Sequence, residues 1–445
     1  MSLQAFHVMA KPTGAICNLD CAYCFFLAKE QLYPNSTFRM SDEVMEAYVK
    51  QTIEAQNAPE ITIAWQGGEP TLMGLDFYRR VMTVVDKHRR PGTTIQHTIQ
   101  TNGVLLNDEW CAFLREHNVL VGISVDGPRA MHDTYRRDKG GGPTFDKVIA
   151  GLRLMQRERV EFNILCTVND VNSQRPLDVY RFFRDELGAR YIQLIPIVER
   201  INGNGRNLLQ QGHRVTDRSV KPEQYGRFLI EMFDEWVHHD VGQVFVQMFD
   251  GVLISWLRGH SSLCIFRPTC GDGVALEHNG DLYSCDHFVE PKYLLGNILK
   301  TPLIQLVNSD QQRQFGQDKQ TSLPAYCREC SYLFACHGEC PKNRFLDTPD
   351  GEPGLNYLCA GLKAYFAHVD PHMRALADLL RQGRPASDYM PILARREAEE
   401  HRKLFSSVQR NDLCPCGSGL KFKRCHGGGD RQPRSRATAA ESPVN

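Results

Sequence analysis

Ile61-Thr62-Ile63-Ala64-Trp65 runs straight into Gln66-Gly67-Gly68-Glu69-Pro70. A short, mostly apolar run closed by a glycine pair reads as a buried strand ending in a loop. A helical pattern, Asp76 to His88, takes over a few residues later. The same unit recurs on both sides. Further strands are predicted over Ala5 to Ala10, Ile95 to Gln100, Leu120 to Val125, Val160 to Val168 and Tyr191 to Ile197. Helical patterns cover Ser41 to Ala55, Asn107 to His117, Thr144 to Gln156 and Pro176 to Leu187. In the first of these Ser41 is placed to cap, and Val44, Met45, Tyr48 and Val49 share one face. Strands alternating with helices predict an α/β fold with a parallel sheet. Six such units fit an incomplete (β/α)6 barrel, with an open doubly wound sheet as the alternative. Polar or glycine-rich motifs follow four consecutive strands: Cys17 to Cys24, Gly67 to Pro70, Thr101-Asn102-Gly103 and Ser124-Val125-Asp126-Gly127. In a barrel, loops at the strands' C-terminal ends converge on one site.

The chain has 445 residues, enough for about three domains. Lys and Arg number 52 and so do Asp and Glu, which argues against a broad basic face for nucleic acid. No apolar run has the length of a membrane span, and the first residues lack the basic and apolar regions of a signal peptide. A cytoplasmic protein is expected. Residues 199–219 read as a polar insertion, and helical patterning resumes over Lys221 to Asp240. Residues 264–359 turn to short turns, glycines and cysteines, and a helix is expected over Gly361 to Gln382. The expected divisions are therefore 1–240, 241–382, a linker with a charged helix (Ala394 to Phe405) over 383–410, a compact Cys/His/Gly unit over 411–429, and a disordered tail over 430–445.

Sixteen cysteines in a long chain without an export signal point to metal or redox chemistry rather than disulfides. Cys17, Cys21 and Cys24 are spaced C-x3-C-x2-C. Cys264, Cys270, Cys285, Cys327, Cys330, Cys336, Cys340 and Cys359 supply two sets of four, and Cys414, Cys416 and Cys425 lie beside His426. Cys111 and Cys166 read as small core hydrophobes. Three thiolates can hold three corners of a four-iron cluster and leave one iron open, whereas four complete the coordination. Zinc is the rival for the soft thiolates, and spacing alone does not decide between the metals.

Cys17-Asn-Leu-Asp-Cys21-Ala-Tyr23-Cys24 resembles the signature of the radical SAM (S-adenosylmethionine) superfamily, and Gly67-Gly68-Glu69-Pro70 resembles that superfamily's motif for the methionine amino group. The later cysteines resemble the SPASM domain. Cys285-Asp286, Cys336-His-Gly-Glu-Cys340-Pro-Lys-Asn-Arg344, Leu355-Asn-Tyr-Leu-Cys359 and Trp65-Gln66-Gly-Gly-Glu-Pro-Thr71 are similar to anaerobic sulfatase-maturating enzymes over residues 5–382. The resemblance implies a partial radical SAM barrel, a cysteine-rich SPASM domain, and oxidation of a Cys or Ser in a sulfatase to Cα-formylglycine. A 5′-deoxyadenosyl radical would take the hydrogen from Cβ. It further implies three 4Fe-4S clusters. Cys17, Cys21 and Cys24 would hold the one that cleaves SAM. Cys264, Cys270, Cys285 and Cys340 would hold the first auxiliary cluster, and Cys327, Cys330, Cys336 and Cys359 the second. Tyr23, Gly68, Ser124, Arg136 and Val198 align with SAM-contacting positions, and Asp286 with the proposed general base. The partners implied are a sulfatase polypeptide carrying C/S-x-P-x-R and an electron donor such as a flavodoxin or ferredoxin, with no nucleic acid and no membrane. One departure is Phe26, where family members often carry Tyr.

The expected chemistry asks Asp286 for a carboxyl with its pKa raised toward neutrality by an apolar setting. The competing reading is a surface turn aspartate. Glu69 is expected to act on the ligand or to cap a helix, the glycine pair to let backbone approach a ligand, and Arg136 either to reach SAM or to sit in solvent. Cys414-Pro-Cys416 through Cys425-His426 resembles the SEC-C-type module of the bacterial protein-export ATPase and offers a tetrahedral set for a structural Zn2+. Other readings are a SPASM enzyme that crosslinks or epimerises another peptide, and a zinc-binding protein without chemistry.

Overall fold

The computed structural model describes residues 6–201 and 211–427. The expected tail over 430–445, the last two residues of the 411–429 unit and residues 202–210 of the 199–219 insertion lie outside these residues. Six parallel strands carry the sheet: β1 (His7–Lys11), β2 (Glu60–Trp65), β3 (Thr94–Thr101), β4 (Leu120–Ser124), β5 (Phe162–Val168) and β6 (Tyr191–Pro196). They lie side by side in sequence order. A doubly wound sheet reverses direction at its first strand, and this one never does, so the partial-barrel reading holds over the open sheet. The register runs Met9 to Ala64, Ile63 to His97, Thr101 to Ile123, Ile123 to Ile164 and Cys166 to Leu194.

The helices between the strands bury the sheet's outer face. Ser41 accepts from the Val44 N–H at 3.2 Å and starts the helix Asp42–Ala55; Asn107 accepts from Trp110 N–H at 2.9 Å and starts Asp108–Glu116. Trp65 ends β2 in an aromatic cluster, with ring centroids 5.2 Å from Tyr48, 5.5 Å from Phe77 and 5.7 Å from Tyr78. Each such pair contributes about 0.5–1.5 kcal/mol beyond area burial. The Tyr48 hydroxyl fastens its helix to both strands, donating to the Val8 and Ala64 carbonyls. Beyond Pro176–Arg181 the expected helix widens into a π turn over Phe182–Glu186.

Strands from the cysteine-rich half extend the same sheet. Gly273–Glu277 pairs in parallel with β1, with Lys11 opposite Glu277, and continues as antiparallel Asp281–Tyr283 and Leu294–Asn297. At the other edge Phe245–Val246 pairs with β6. A long helix, Cys359–Arg381, lies against Pro222–His239, close enough that a Cβ on Gly361 would sit 1.9 Å from the Pro222 carbonyl oxygen. The described residues form two compact units, within 1–386 and 387–445. The second contains the helix Tyr389–Ser406, whose Phe405 ring packs against Phe422 and His426. Among the described residues no helix is long and apolar enough to cross a membrane.

Candidate functional site

The loop after β1 carries Cys17, Cys21 and Cys24. Leu19 N–H donates to Cys17 Sγ at 3.3 Å, and the Asn102 amide approaches the same sulfur at 3.7 Å. Burial pushes the Cys17 thiol up to about 12 and the Cys21 thiol up to about 11, and the three thiols act on one another electrostatically. The loop after β2 lies directly beneath. Gly68 N–H donates to the Gly14 carbonyl and Glu69 N–H to the Ile16 carbonyl. A Cβ on Gly68 would stand 2.0 Å from the Ile16 carbonyl oxygen, so Gly68 lacks a side chain because the cysteine loop occupies that space. The missing side chain thus has a packing reason in addition to the close ligand approach expected of this glycine. Glu69 is fully buried; it accepts from Thr71 N–H and hydroxyl, from the Thr101 hydroxyl at 2.8 Å and from Asn102 N–H at 2.8 Å. It caps the short 3-10 turn Pro70–Met73 and ties three strand-end loops together. Burial still pushes its carboxyl up.

Tyr23 and Arg136 meet at a residue the sequence reading quoted but did not single out. Asp126 receives the Tyr23 hydroxyl at 2.5 Å, Arg136 Nε at 2.9 Å and Nη2 at 3.1 Å, and Thr167 N–H at 2.9 Å. All three side chains are buried, so Arg136 is no solvated charge. Burial pushes the Asp126 carboxyl up, but the Arg136 guanidinium outweighs it and holds it below the usual carboxylate range. Ser124, at the end of β4, accepts from Gln100 Nε2 at 3.0 Å. Val198 is buried just past β6, and Ile197 beside it packs with Leu19, Cys21 and Tyr23. Asp126 stands just past the end of β4, ten residues before Arg136, and nothing in that spacing marks the two as partners.

Asp286 is not a solvated turn residue. Its carboxylate forms an ion pair with Lys11, the last residue of β1, and only a fifth of the side chain is exposed. Lys11 is 2% exposed and its ammonium lies 4.1 Å from the centre of the Phe26 ring. Burial pushes the Asp286 carboxyl up, yet Lys11, then His287, and also Lys342 draw it down further. It therefore lies below, not above, its ordinary value, the reverse of the expected raising. Lys11 was missed because its partner comes from the far half of the chain.

The eight later cysteines fall into two groups. Cys285 is acted on by Cys340 and Cys264, Cys270 by Cys264, and Cys340 by Cys270. Cys336 is acted on by Cys359 and Cys327, and Cys359 by Cys327 and Cys330; these four line one small apolar cavity. Burial pushes Cys340 and Cys336 up to about 12. A wider cavity of about 520 Å³ opens beside His287, among Arg200, Phe288, Glu290, Phe315 and Lys342. In the second unit Cys414, Cys416, Cys425 and His426 bring their ligand atoms within 4.8 Å of one another, with His426 Nδ1 3.2 Å from both Cys414 and Cys425 sulfurs. Cys111 and Cys166 are buried in the core, as expected of hydrophobes.

Comparison with known proteins agrees with this geometry. The family model of the radical SAM superfamily matches residues 12–183, that of an iron–sulfur cluster-binding domain (SPASM) residues 264–331, and the SEC-C motif residues 410–428. A serine-type anaerobic sulfatase-maturating enzyme of Bacteroides thetaiotaomicron is 49% identical over 86% of this chain and 94% of its own length. A cysteine-type anaerobic sulfatase-maturating enzyme of Clostridium perfringens is 32% identical over 84% of this chain and 99% of its own. The solved structure of native anSMEcpe with bound AdoMet and Cp18Cys peptide superposes with a TM-score of 0.75 at 32% identity, covering 85% of this chain and all of that one. The chain therefore belongs to the anaerobic sulfatase-maturating enzymes of the radical SAM superfamily.

Proposed function

We propose that this enzyme oxidises a Cys or Ser side chain of a sulfatase polypeptide to Cα-formylglycine. The observation that carries the reading is the Lys11–Asp286 pair. It places a carboxylate at the junction of the three-thiol loop, which follows Lys11, and the four-thiol group that contains Cys285. The donor sets suit the groups they would hold. Soft thiolates select iron–sulfur clusters, three thiols leave one iron open, and four close the coordination. On this reading Cys17, Cys21 and Cys24 hold the cluster that works with SAM. Cys264, Cys270, Cys285 and Cys340 hold one auxiliary cluster, and Cys327, Cys330, Cys336 and Cys359 the other. Cys414, Cys416, Cys425 and His426 hold a structural Zn2+, and a flavodoxin or ferredoxin serves as electron donor. The functional divisions proposed are 1–240, 241–382, 383–410 and 411–429.

When bound, the open cluster and SAM supply the hydrogen-abstracting radical. The protein's own residues do the rest. The buried Tyr23–Asp126–Arg136 group fixes the wall on which Cys21 stands, and Tyr23, Gly68, Arg136, Ser124 at the end of β4 and Val198 just past β6 serve as SAM contacts on this reading. The peptide enters by the cavity beside His287. Asp286 takes the proton of the target's hydroxyl or thiol as the carbon–oxygen or carbon–sulfur double bond forms; for a Cys target the thioaldehyde then adds water and loses hydrogen sulfide to give the aldehyde. A carboxylate held ionised by Lys11 is sufficient for this, because a hydroxyl on a carbon radical is a stronger acid than in the parent alcohol. Phe26 contributes a ring face to Lys11 and no hydroxyl. The test is anaerobic incubation of cluster-loaded protein with reductant, SAM and a C/S-x-P-x-R peptide. The aldehyde is expected by mass spectrometry and is suppressed in Asp286→Asn. A crosslinked or epimerised product would instead favour the other SPASM chemistry.

A further inference from the structure

Lys319 takes no catalytic role in the chemistry above, although it borders the cavity beside His287, and it is among the most deeply buried charges of the described residues. It sits on the helix Asp310–Thr321 and is 1% exposed. Its ammonium donates to the carbonyls of Cys264 and Ile265, both at 2.8 Å. Among the described residues it forms no ion pair with a carboxylate. Glu339, the acid that acts on it, accepts at Oε2 from Asn343 Nδ2 at 3.0 Å and Asn356 Nδ2 at 2.6 Å. Its other charged neighbour is a second cation: Arg344 donates to the Lys319 carbonyl and to the carbonyls of His337, Gly338 and Glu339.

A buried ammonium satisfied only by carbonyls is costly unless an anion offsets it. Burial draws the Lys319 pKa down, and the influences that oppose it most are negative charge at Cys270 and then at Cys340. As thiols they are neutral. As thiolates on iron they would carry the negative charge that this cation lacks, while the two carbonyls take two of the ammonium's three N–H groups. We infer that Lys319 is the built-in counter-cation of the auxiliary cluster held by Cys264, Cys270, Cys285 and Cys340, and that its charge keeps that cluster readily reducible. Cluster potentials follow net charge and nearby donors.

This assigns the helix a job in the proposed reaction. After the Cβ hydrogen is removed, formation of the double bond releases one proton and one electron from the peptide. Asp286 accepts the proton. The cluster that Cys285 would help to hold would supply the one-electron acceptor, and the Lys319 charge would favour that acceptance. The inference rests on the sulfatase-maturating reading for its purpose but not for its test, since the potential is measurable whether or not a peptide is oxidised.

The test is a redox titration of the fully cluster-loaded enzyme followed by electron paramagnetic resonance, comparing wild type with Lys319→Arg, Lys319→Gln and Lys319→Met. The neutral variants are expected to shift one auxiliary signal to more negative potential by a roughly tenfold change in its equilibrium, about 59 mV for one electron. The other two clusters should not move, and Lys319→Arg should match wild type. Peptide oxidation should slow in the neutral variants, with SAM cleavage without peptide unchanged. If the neutral variants fail to hold that cluster while Lys319→Arg holds it, the charge requirement is equally supported. Coincident potentials for wild type and Lys319→Gln, or loss of the cluster in Lys319→Arg as well, would overturn the inference.

Discussion

Lys11 decides how Asp286 behaves with pH. The carboxyl lies below its ordinary value because Lys11 outweighs burial, so it stays ionised through the range where unperturbed carboxylates protonate, about pH 4. Without the ammonium, burial is left to act and the pKa rises. Lys11→Met is therefore expected to bring an acidic limb into the kcat/KM profile at a pH where the wild type is flat; superimposable profiles would remove Lys11 from the account. Asp126 makes the second residue-scale prediction. Asp126→Asn strands the buried Arg136 charge and should cost about 3–5 kcal/mol, read as a lower denaturation midpoint. The sign with pH follows from its depressed carboxyl: the contribution is present above the unfolded pKa, about 3.9, and fades as pH falls below it toward the folded value. Motif spacing sorts the cysteines into sets, and the family resemblance alone singles out Asp286. Asp126, Lys11 and Lys319 were not legible, because their meaning lies in partners brought together only by strand register and helix packing.

The loop after β2 shows what an element adds to its motif. Gly68→Ala would drive a methyl into the Ile16 carbonyl, where backbone rather than a flexible side chain must yield. Overpacking of this kind costs about 1–3 kcal/mol. It should displace the cysteine loop, so iron at the three-thiol set falls while the auxiliary signals persist. An unaltered SAM-responsive cluster would contradict the packing role. The compact unit near the C-terminus gives a separate expectation: Cys414→Ser and Cys416→Ser lower bound zinc and leave iron content unchanged, by elemental analysis. Helices with one apolar face and a capping residue, such as those starting at Ser41 and Asn107, were legible. Gln247–Arg258 was not, because it is apolar nearly all round and shows no face; Asp310–Thr321 was not, because it is polar and buries Gln312 and Lys319 in place of an apolar stripe.

At the scale of the molecule, alternation of strands and helices gave the parallel order of β1 to β6 away, since each neighbour in sequence is a neighbour in space. The continuation of the sheet by Gly273–Glu277 was hidden, because nothing local marks β1 as its partner. That pairing is what brings Cys285 and Asp286 to the end of β1, and so joins the barrel's chemistry to the auxiliary thiols. A single-turnover measurement of 5′-deoxyadenosine and peptide aldehyde, made together on anaerobic, reduced enzyme with SAM and a C/S-x-P-x-R peptide, tests that junction most directly. The account predicts the two products in equal amounts. 5′-Deoxyadenosine accumulating without aldehyde, or with a peptide modified in some other way, would contradict it.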